Sequence, residues 1–167
     1  TTNYIISKMS GEKLDFNSAL NQAQDSGFAE SDPTNDIDGF DAAYKLAIMA
    51  SLAFDTRVRV EDVYREGISA LERQDFIYAE DLGYTVKLLA MARYDSETLS
   101  VRVHPALIPK THLLAKVDGV FNAIEIEGDL IGRILFHGQG AGPMPTSSAV
   151  IGDILEIARN IVLGASP

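Results

Sequence analysis

Apolar positions follow a helical period in the first third of the chain. Residues 4–9 form a short apolar stretch before Gly11, and a stripe within residues 15–26 begins at Asp15 and ends before Gly27. Asp is favoured at helix N-caps and Gly just beyond helix C-termini, so both stretches predict helices. Residues 39–54 are apolar on almost every side after the first two turns. That pattern predicts a third helix, buried on most of its surface.

From residue 84 onward the period becomes that of β-strands. Residues 84–92 and 99–105 predict two strands joined by a turn at 94–98. Residues 121–127 and 130–136 flank Gly128–Asp129, which is typical of a hairpin. A glycine-rich turn at 138–143 then precedes a predicted helix at 146–163. This order predicts an α+β fold, with a mostly antiparallel or mixed sheet and helices packed on one face.

Composition excludes several classes of protein. The net charge of −10 argues against a nucleic-acid binder, which needs clustered Lys and Arg. The longest apolar stretch, residues 46–54, is about half of the roughly 20 residues that a membrane span requires. No signal peptide is visible and cysteine is absent, which is compatible with the cytoplasm. Because the chain opens on Thr1 rather than Met, we expect that it was excised from a longer protein.

The segment before the third helix is the most informative. It holds five carboxylates within residues 30–41, and Asp41 lies four residues before Lys45 on the predicted helix. Asp and Pro favour loops, acidic residues suit helix N-termini, and such an ion pair stabilises a helix by only roughly 0.2–0.5 kcal/mol. Composition alone therefore favours an ordinary acidic loop.

Two features favour a binding site instead. Lys45 opens an apolar stretch, where a partly buried ammonium is costly unless it is paired or used. The carboxylates around it are in surplus, so a ligand that carries an ammonium group would balance Glu30 and Asp41. Calcium does not fit, because an EF-hand numbered from Gly39 would have Lys45 where a bidentate Glu is needed.

The spacing of this segment resembles the homoserine dehydrogenase family. The matching positions run Ala23-x3-Gly27-Phe28-Ala29-x2-Asp32-Pro33-x2-Asp36-Ile37-x-Gly39-x-Asp41-x3-Lys45. The resemblance continues in the opening residues 1–5, in residues 102–105 and 119–123, and in residues 140–149, so it covers essentially the whole chain.

The resemblance implies an oxidoreductase that interconverts L-aspartate 4-semialdehyde and L-homoserine in threonine, methionine and isoleucine biosynthesis. It implies that Lys45 is the catalytic lysine, a proton donor or relay at the reacting oxygen. Glu30 and Asp41 would bind the substrate, and Asp36 would contact it or orient Lys45. Thr1 begins the family's substrate-binding threonine turn.

The resemblance also implies what this chain lacks. NADP or NAD would be bound mainly by an N-terminal nucleotide-binding domain, and no G-x-G-x-x-G follows a strand here. Gly140, Gly142 and Thr146 would lie near the nicotinamide. Residues 1–142 would form the catalytic and dimerisation domain, and two copies of it would associate through their sheets as a homodimer. Residues 143–167 would return to the nucleotide-binding domain as a helix.

The alternative to an enzyme is a binding module. A non-catalytic amino-acid-sensing or dimerisation module of the same fold would bind homoserine without turnover. His104, His112 and His137 lack carboxylates at ligand spacing, so we predict no metal site. A hydrolase is disfavoured because the sequence has no G-x-S-x-G elbow.

Overall fold

Two units make up the fold in the computed structural model, which describes residues 1–95, 97–140 and 142–164. The first unit, Thr1–Gly119, contains α1 (Thr2–Gly11), α2 (Phe16–Asp25), α3 (Thr34–Ile37), α4 (Phe40–Ala53), β1 (Tyr64–Arg65), α5 (Arg73–Asp81), β2 (Tyr84–Asp95) and β3 (Thr98–Pro109). The second unit, from Val120 onward, contains β4 (Phe121–Gly128), β5 (Gly132–Gln139) and α6 (Pro143–Leu163). Short 3-10 turns lie at Val60–Asp62 and Leu113–Lys116.

The sheet of the first unit has the strand order β1-β3-β2. Strands β2 and β3 pair antiparallel from Tyr84↔Pro109 to Asp95↔Thr98, whereas β1 pairs parallel with β3. Helices α1 and α5 pack on β2, and α4 packs on β2 and β3. The predicted α+β class with a mixed sheet is therefore confirmed. The turn predicted at residues 94–98 includes Ser96, which lies outside the described residues.

Two hydrophobic clusters lie between the helices and this sheet. Ile5, Ile6 and Met9 of α1 are fully buried in the first cluster, where each contributes about 1.5–3 kcal/mol of burial free energy. The second cluster centres on Leu46 of α4 and Val103 of β3. Leu88 of β2 packs against both clusters, so β2 joins the two halves of the core.

The helix boundaries follow the local signals in the sequence. Asp15 caps α2 as predicted, because its carboxylate accepts a hydrogen bond of 2.9 Å from the Ser18 backbone N–H. After α2 ends, Gly27 adopts a φ of +72°, a conformation that side chains with a Cβ rarely allow.

One prediction for α4 is wrong, and two elements had not been predicted. Only the Ala43, Leu46, Ala47 and Ala50 stripe of α4 is buried, whereas Ile48 is 63% exposed and Leu52 is 80% exposed. An all-round apolar pattern predicts burial, but this chain leaves that face bare. Strand β1 has only two residues, too few to show a period, and α5 follows it unpredicted.

The second unit is a hairpin followed by a long helix. Strands β4 and β5 pair antiparallel from Phe121↔Gln139 to Gly128↔Gly132, as predicted. Helix α6 begins at Pro143, three residues before the predicted start, and none of its described residues is buried. Within the described residues, none of the helices combines the length and the hydropathy that crossing a membrane requires.

Candidate active site

The acidic segment turns back over the helix that precedes it. The backbone N–H groups of Phe28 and Ala29 both donate to the carbonyl of Ala23, at 2.8 and 3.2 Å. The Gln24 side chain then donates to the carbonyl of Glu30 at 2.9 Å. These bonds hold the backbone of the segment against α2 and leave the Glu30 side chain exposed to solvent.

The middle of the segment is shaped by its own side chains. The Asp32 carboxylate accepts bonds from the Thr34 hydroxyl at 2.6 Å and from its backbone N–H at 3.2 Å. These two bonds, the hydroxyl contributing more, lower the pKa of Asp32. The turn leads into α3, whose first turn carries Asp36.

The end of the segment is fixed from the sheet side. The Arg65 guanidinium donates to the carbonyl of Asp38 at 2.5 Å, and it lies 3.4 Å from the centre of the Phe40 ring. The backbone N–H of Ile68 donates to the carbonyl of Ile37 at 2.7 Å. Gly67 passes so close that a Cβ there would lie 2.3 Å from the Ile37 carbonyl oxygen. Residues 65–68 therefore form a clamp on residues 37–38.

Gly39 redirects the chain from this clamp into α4. It has a φ of +78°, and a Cβ at this position would lie 3.3 Å from Val103. Asp41 then occupies the first turn of α4, and Lys45 follows one turn later. The Lys45 ammonium lies 2.7 Å from the Asp41 carboxylate, which agrees with the predicted i,i+4 pair.

Lys45 is less buried than the sequence predicted. Its side chain is 67% exposed, so the expectation of a partly buried ammonium is wrong for this chain. The physical reason is that Lys45 and the apolar residues Ile48 and Leu52 lie on the part of α4 that this chain leaves uncovered.

Thr1 brings the start of the chain to the same place. Its hydroxyl donates to the carbonyl of Phe28 at 2.5 Å. The charges of Asp36, Lys45 and Asp41 are near enough to act at the position of the Thr1 nitrogen. Since Coulomb interactions weaken with distance, these three side chains lie around the N-terminus of α1. The folded chain thus groups Thr1, Asp36, Asp41 and Lys45.

Phe28 joins the acidic segment to α1 through its side chain. Its ring packs at 5.0 Å, centroid to centroid, on Tyr4 of α1. Phe28 therefore serves the packing between α1 and the acidic segment, in addition to the backbone bond with Thr1.

The predicted cofactor-binding turn has a different local explanation. A Cβ on Gly140 would lie 2.4 Å from the Asn122 side-chain nitrogen, so packing within the hairpin already requires this glycine. Helix α6 opens with Pro143, Met144 and Pro145, and the N–H of Thr146 bonds to the carbonyl of Gly142. Because proline has no N–H, the first three positions offer a single backbone donor, which makes a poor phosphate cradle. Contacts of Gly140, Gly142 and Thr146 with a nicotinamide stay a prediction.

The histidines make local contacts. His104 Nδ1 lies 2.8 Å from the carbonyl of Pro105, and His112 accepts a bond from the Leu114 N–H at 3.3 Å. The His137 ring stacks on Phe121 with 5.0 Å between centroids. In the part of the chain that the structure describes, no group of three or more His, Asp or Glu residues is arranged to hold a metal ion.

Sequence reasoning had not identified the clamp. Gly67 follows a glutamate and precedes an apolar residue without any periodic context, so its close approach to Ile37 was not visible. Arg65 gave no clear signal either, because Arg57 and Arg59 are in the same unassigned region of the sequence. Its partner is a backbone carbonyl 27 residues away.

Comparison with known proteins decides the family. A family model described as homoserine dehydrogenase matches residues 1–155. This chain belongs to the homoserine dehydrogenase family. The family match supports an oxidoreductase, in agreement with the resemblance seen in the sequence.

Individual homoserine dehydrogenases are similar along nearly the whole chain. Those of Mycobacterium leprae and Synechocystis sp. are each 51% identical to it, over 99% and 94% of this chain. The structure of a homoserine dehydrogenase from Thiobacillus denitrificans matches with a TM-score of 0.93 at 45% identity, over 98% of this chain. A hyperthermophilic archaeal homoserine dehydrogenase mutant in complex with NADPH matches with a TM-score of 0.72 at 30% identity, over 93% of this chain and 43% of its own.

The chain spans 38% of the length of the M. leprae homoserine dehydrogenase and 37% of that from Synechocystis. It also covers 38% of the T. denitrificans chain. The group of Thr1, Asp36, Asp41 and Lys45 therefore belongs to a region that makes up well under half of these enzymes.

Proposed function

We propose that this chain is the substrate-binding part of a homoserine dehydrogenase, which interconverts L-aspartate 4-semialdehyde and L-homoserine with NADPH or NADH. The observation that carries the proposal is the Asp41–Lys45 pair, 2.7 Å apart on α4, with Asp36 and Thr1 beside it. The coverage of about two fifths of each relative supports a further proposal. A nucleotide-binding domain outside this chain completes the active site.

The charges of the site suit an amino-acid substrate. Residues 30–45 hold five carboxylates and one lysine, Lys45, so a substrate ammonium next to Glu30 would reduce the excess negative charge. Glu30 is exposed and its backbone is held by Gln24, which leaves its carboxylate available. Asp36 would contact the substrate or orient Lys45.

The chemistry requires one hydride and one proton. NAD(P)H, held mainly by the nucleotide-binding domain, would supply the hydride for C4 of the aldehyde. The Lys45 ammonium stabilises the negative charge that develops on the carbonyl oxygen and then donates the proton that makes the hydroxyl group. The Asp41 carboxylate, 2.7 Å from the Lys45 ammonium, would hold that ammonium toward the substrate. In the reverse direction the neutral amine of Lys45 would accept the hydroxyl proton.

The exposed apolar face of α4 supports the proposal that another domain covers the site. Tyr44, Ile48 and Leu52 are large apolar side chains that remain exposed close to Lys45. Exposed apolar patches of this kind mark surfaces that another domain or subunit covers. A covering domain would exclude water from Lys45 and strengthen its interaction with the substrate oxygen. The poor phosphate cradle at the start of α6 agrees with cofactor phosphates bound elsewhere.

A homodimer is part of the same proposal. Leu89 and Met91 of β2 lie on the sheet face opposite the helix-packed Val86 and Leu88, and both remain partly exposed in the single chain. A symmetric contact through this sheet would cover them. Light scattering of the purified enzyme at several concentrations tests this point, and a monomer at all concentrations would contradict it.

The experiment that tests the function compares Lys45→Ala with Lys8→Ala in the full-length enzyme. Lys8 forms an exposed i,i+4 pair with Glu12 of the same type as Lys45–Asp41, so it is a matched control. NADPH oxidation with aspartate semialdehyde is followed by absorbance. We expect Lys45→Ala to lower kcat by about 10²–10⁴-fold, the usual contribution of a general acid. The Lys8→Ala variant is expected to keep wild-type kcat. A Lys45→Ala enzyme within a few-fold of wild type would defeat the assignment.

A further inference from the structure

Lys87 is a buried lysine on strand β2, and its ammonium is surrounded by hydrogen-bond acceptors. It is 5% exposed, and among the described residues it is the one charged side chain in the buried class. Its ammonium donates to the carbonyl of Val117 at 2.5 Å, to the carboxylate of Asp118 at 2.8 Å and to the side-chain oxygen of Asn3 at 3.2 Å. An ammonium has three N–H donors, so each one has an acceptor.

This arrangement fixes the side chain of Asn3. The Asn3 oxygen faces Lys87, while its nitrogen donates to the carbonyls of Val117 and Gly119 at 3.0 and 3.3 Å. The amide of Asn3 is therefore held in one orientation by the ammonium on one side and two carbonyls on the other. Asn3 lies in the first turn of α1.

The first turn of α1 leads directly to the candidate site. Thr1 is the N-cap of α1, and its carbonyl accepts the bond from the Ile5 N–H at 3.1 Å. The Thr1 hydroxyl bonds to Phe28, two residues before Glu30. Asp36, Asp41 and Lys45 lie near the Thr1 nitrogen, close enough for their charges to act at that position. A displacement of Asn3 would thus move the backbone around which the site residues group.

We propose that Lys87 is a positioning residue for the substrate site, acting through Asn3 on the N-terminus of α1. The proposal rests on the proposed function, because it assigns an effect on the amino-acid substrate. Burying an ammonium is costly, and simple packing of β2 would be served as well by an apolar residue. A lysine at this position holds the Asn3 side chain by a hydrogen bond and so fixes the orientation of the Thr1–Asn3 turn, which an apolar residue cannot do.

Kinetics separate positioning from a purely structural role. If Lys87 only stabilised the fold, its removal would lower the amount of active enzyme, and so the apparent kcat, while each active molecule kept its KM. If Lys87 positions the site, the KM for aspartate semialdehyde rises in the molecules that are folded, because the substrate meets misplaced groups. The KM for NADPH, by contrast, stays within twofold of wild type.

The test uses the full-length enzyme with Lys87→Met, Asn3→Ala and Ser7→Ala. Methionine keeps the apolar stem and removes the three donors. Ser7 is the matched control, because it bonds to Asp118 and Gly119 in the same loop but not to Asn3 or Lys87. We expect Lys87→Met and Asn3→Ala to raise the KM for aspartate semialdehyde about tenfold, within the range expected for misplaced groups. Ser7→Ala is expected to keep it within twofold.

The outcomes are distinguishable. A wild-type enzyme without homoserine dehydrogenase activity overturns the proposed function and this inference with it. An active wild type whose Lys87→Met variant keeps the KM for aspartate semialdehyde overturns this inference alone. If Lys87→Met does not fold, Asn3→Ala decides in its place, since Lys87 keeps Val117 and Asp118 as acceptors. The double variant Lys87→Met/Asn3→Ala tests whether Lys87 acts through Asn3. A KM for aspartate semialdehyde no higher than in either single variant supports this, whereas a KM raised by the product of the two single effects contradicts it.

Discussion

Substitution of Gly67 by alanine is a stringent test of the clamp on residues 37–38. The added Cβ would lie 2.3 Å from the Ile37 carbonyl oxygen and 2.5 Å from Asp38 Cα, whereas ordinary contacts begin at 3.4 Å. Both atoms belong to the backbone, and the carbonyls of Ile37 and Asp38 accept bonds from Ile68 and Arg65. The clash therefore cannot be relieved by rotating a side chain.

The size of the effect follows from these contacts. Overpacking costs about 1–3 kcal/mol, and the upper end applies because backbone must move by about 1 Å. Replacing glycine also lowers the entropy of the unfolded chain, which stabilises the folded state by about 0.4–1 kcal/mol and partly offsets this cost. The net loss of unfolding free energy is therefore about 2 kcal/mol. At about 2–4 °C per kcal/mol, Tm falls by roughly 4–8 °C.

The assay is urea unfolding followed by circular dichroism, with Gly11→Ala as the control. Gly11 lies in the last turn of α1, and a Cβ added there would meet no atom within 4 Å. Alanine is favoured over glycine in helices by about 0.5–1 kcal/mol, so this variant should be as stable as wild type or more so. Equal stability of Gly67→Ala and Gly11→Ala would refute the reasoning. In the full-length enzyme, Gly67→Ala should also raise the KM for aspartate semialdehyde, because Asp36 adjoins Ile37.

Two further predictions concern exposed carboxylates. Asp15→Ala should lower Tm by a few degrees at pH 7, because the capping bonds to Ser18, which lower the pKa of Asp15, are lost. The difference from wild type in thermal scans should shrink below about pH 4, as the wild-type carboxyl protonates; a constant difference would contradict it. Glu80→Gln should be less stable than wild type at pH 7, because bonds first from Lys13 and then from Lys110 lower the pKa of Glu80. This difference should also disappear as the pH falls through the pKa of Glu80, and 1 M salt should reduce it in urea titrations at pH 7.

Local signals in the sequence predicted the elements that depend on local interactions. The Asp15 cap, the stop at Gly27 and the β4–β5 hairpin follow from residues close to each other along the chain. The Asp41–Lys45 pair was likewise available, because helical spacing places the two on one face.

Features that depend on distant partners were not predictable in the same way. Lys87 is contacted by residues 30 and 84 positions away, so its burial was hidden inside an apolar strand pattern. A lone charged residue in such a strand was nonetheless an indication that a polar partner existed. The exposed face of α4 illustrates the reverse case. Its apolar pattern predicts that the face is buried, but the pattern does not specify whether the residues that bury it belong to the same chain.

The parallel pairing of β1 with β3 has a consequence for the order of folding. Tyr64 pairs with Arg102, so this contact closes a long loop, and we expect it to form after the more local β2–β3 hairpin. The guanidinium of Arg65 reaches Asp38 from that same strand. We therefore expect the bend that presents the acidic side chains to reach its final shape late in folding, after the helices and the hairpin have formed.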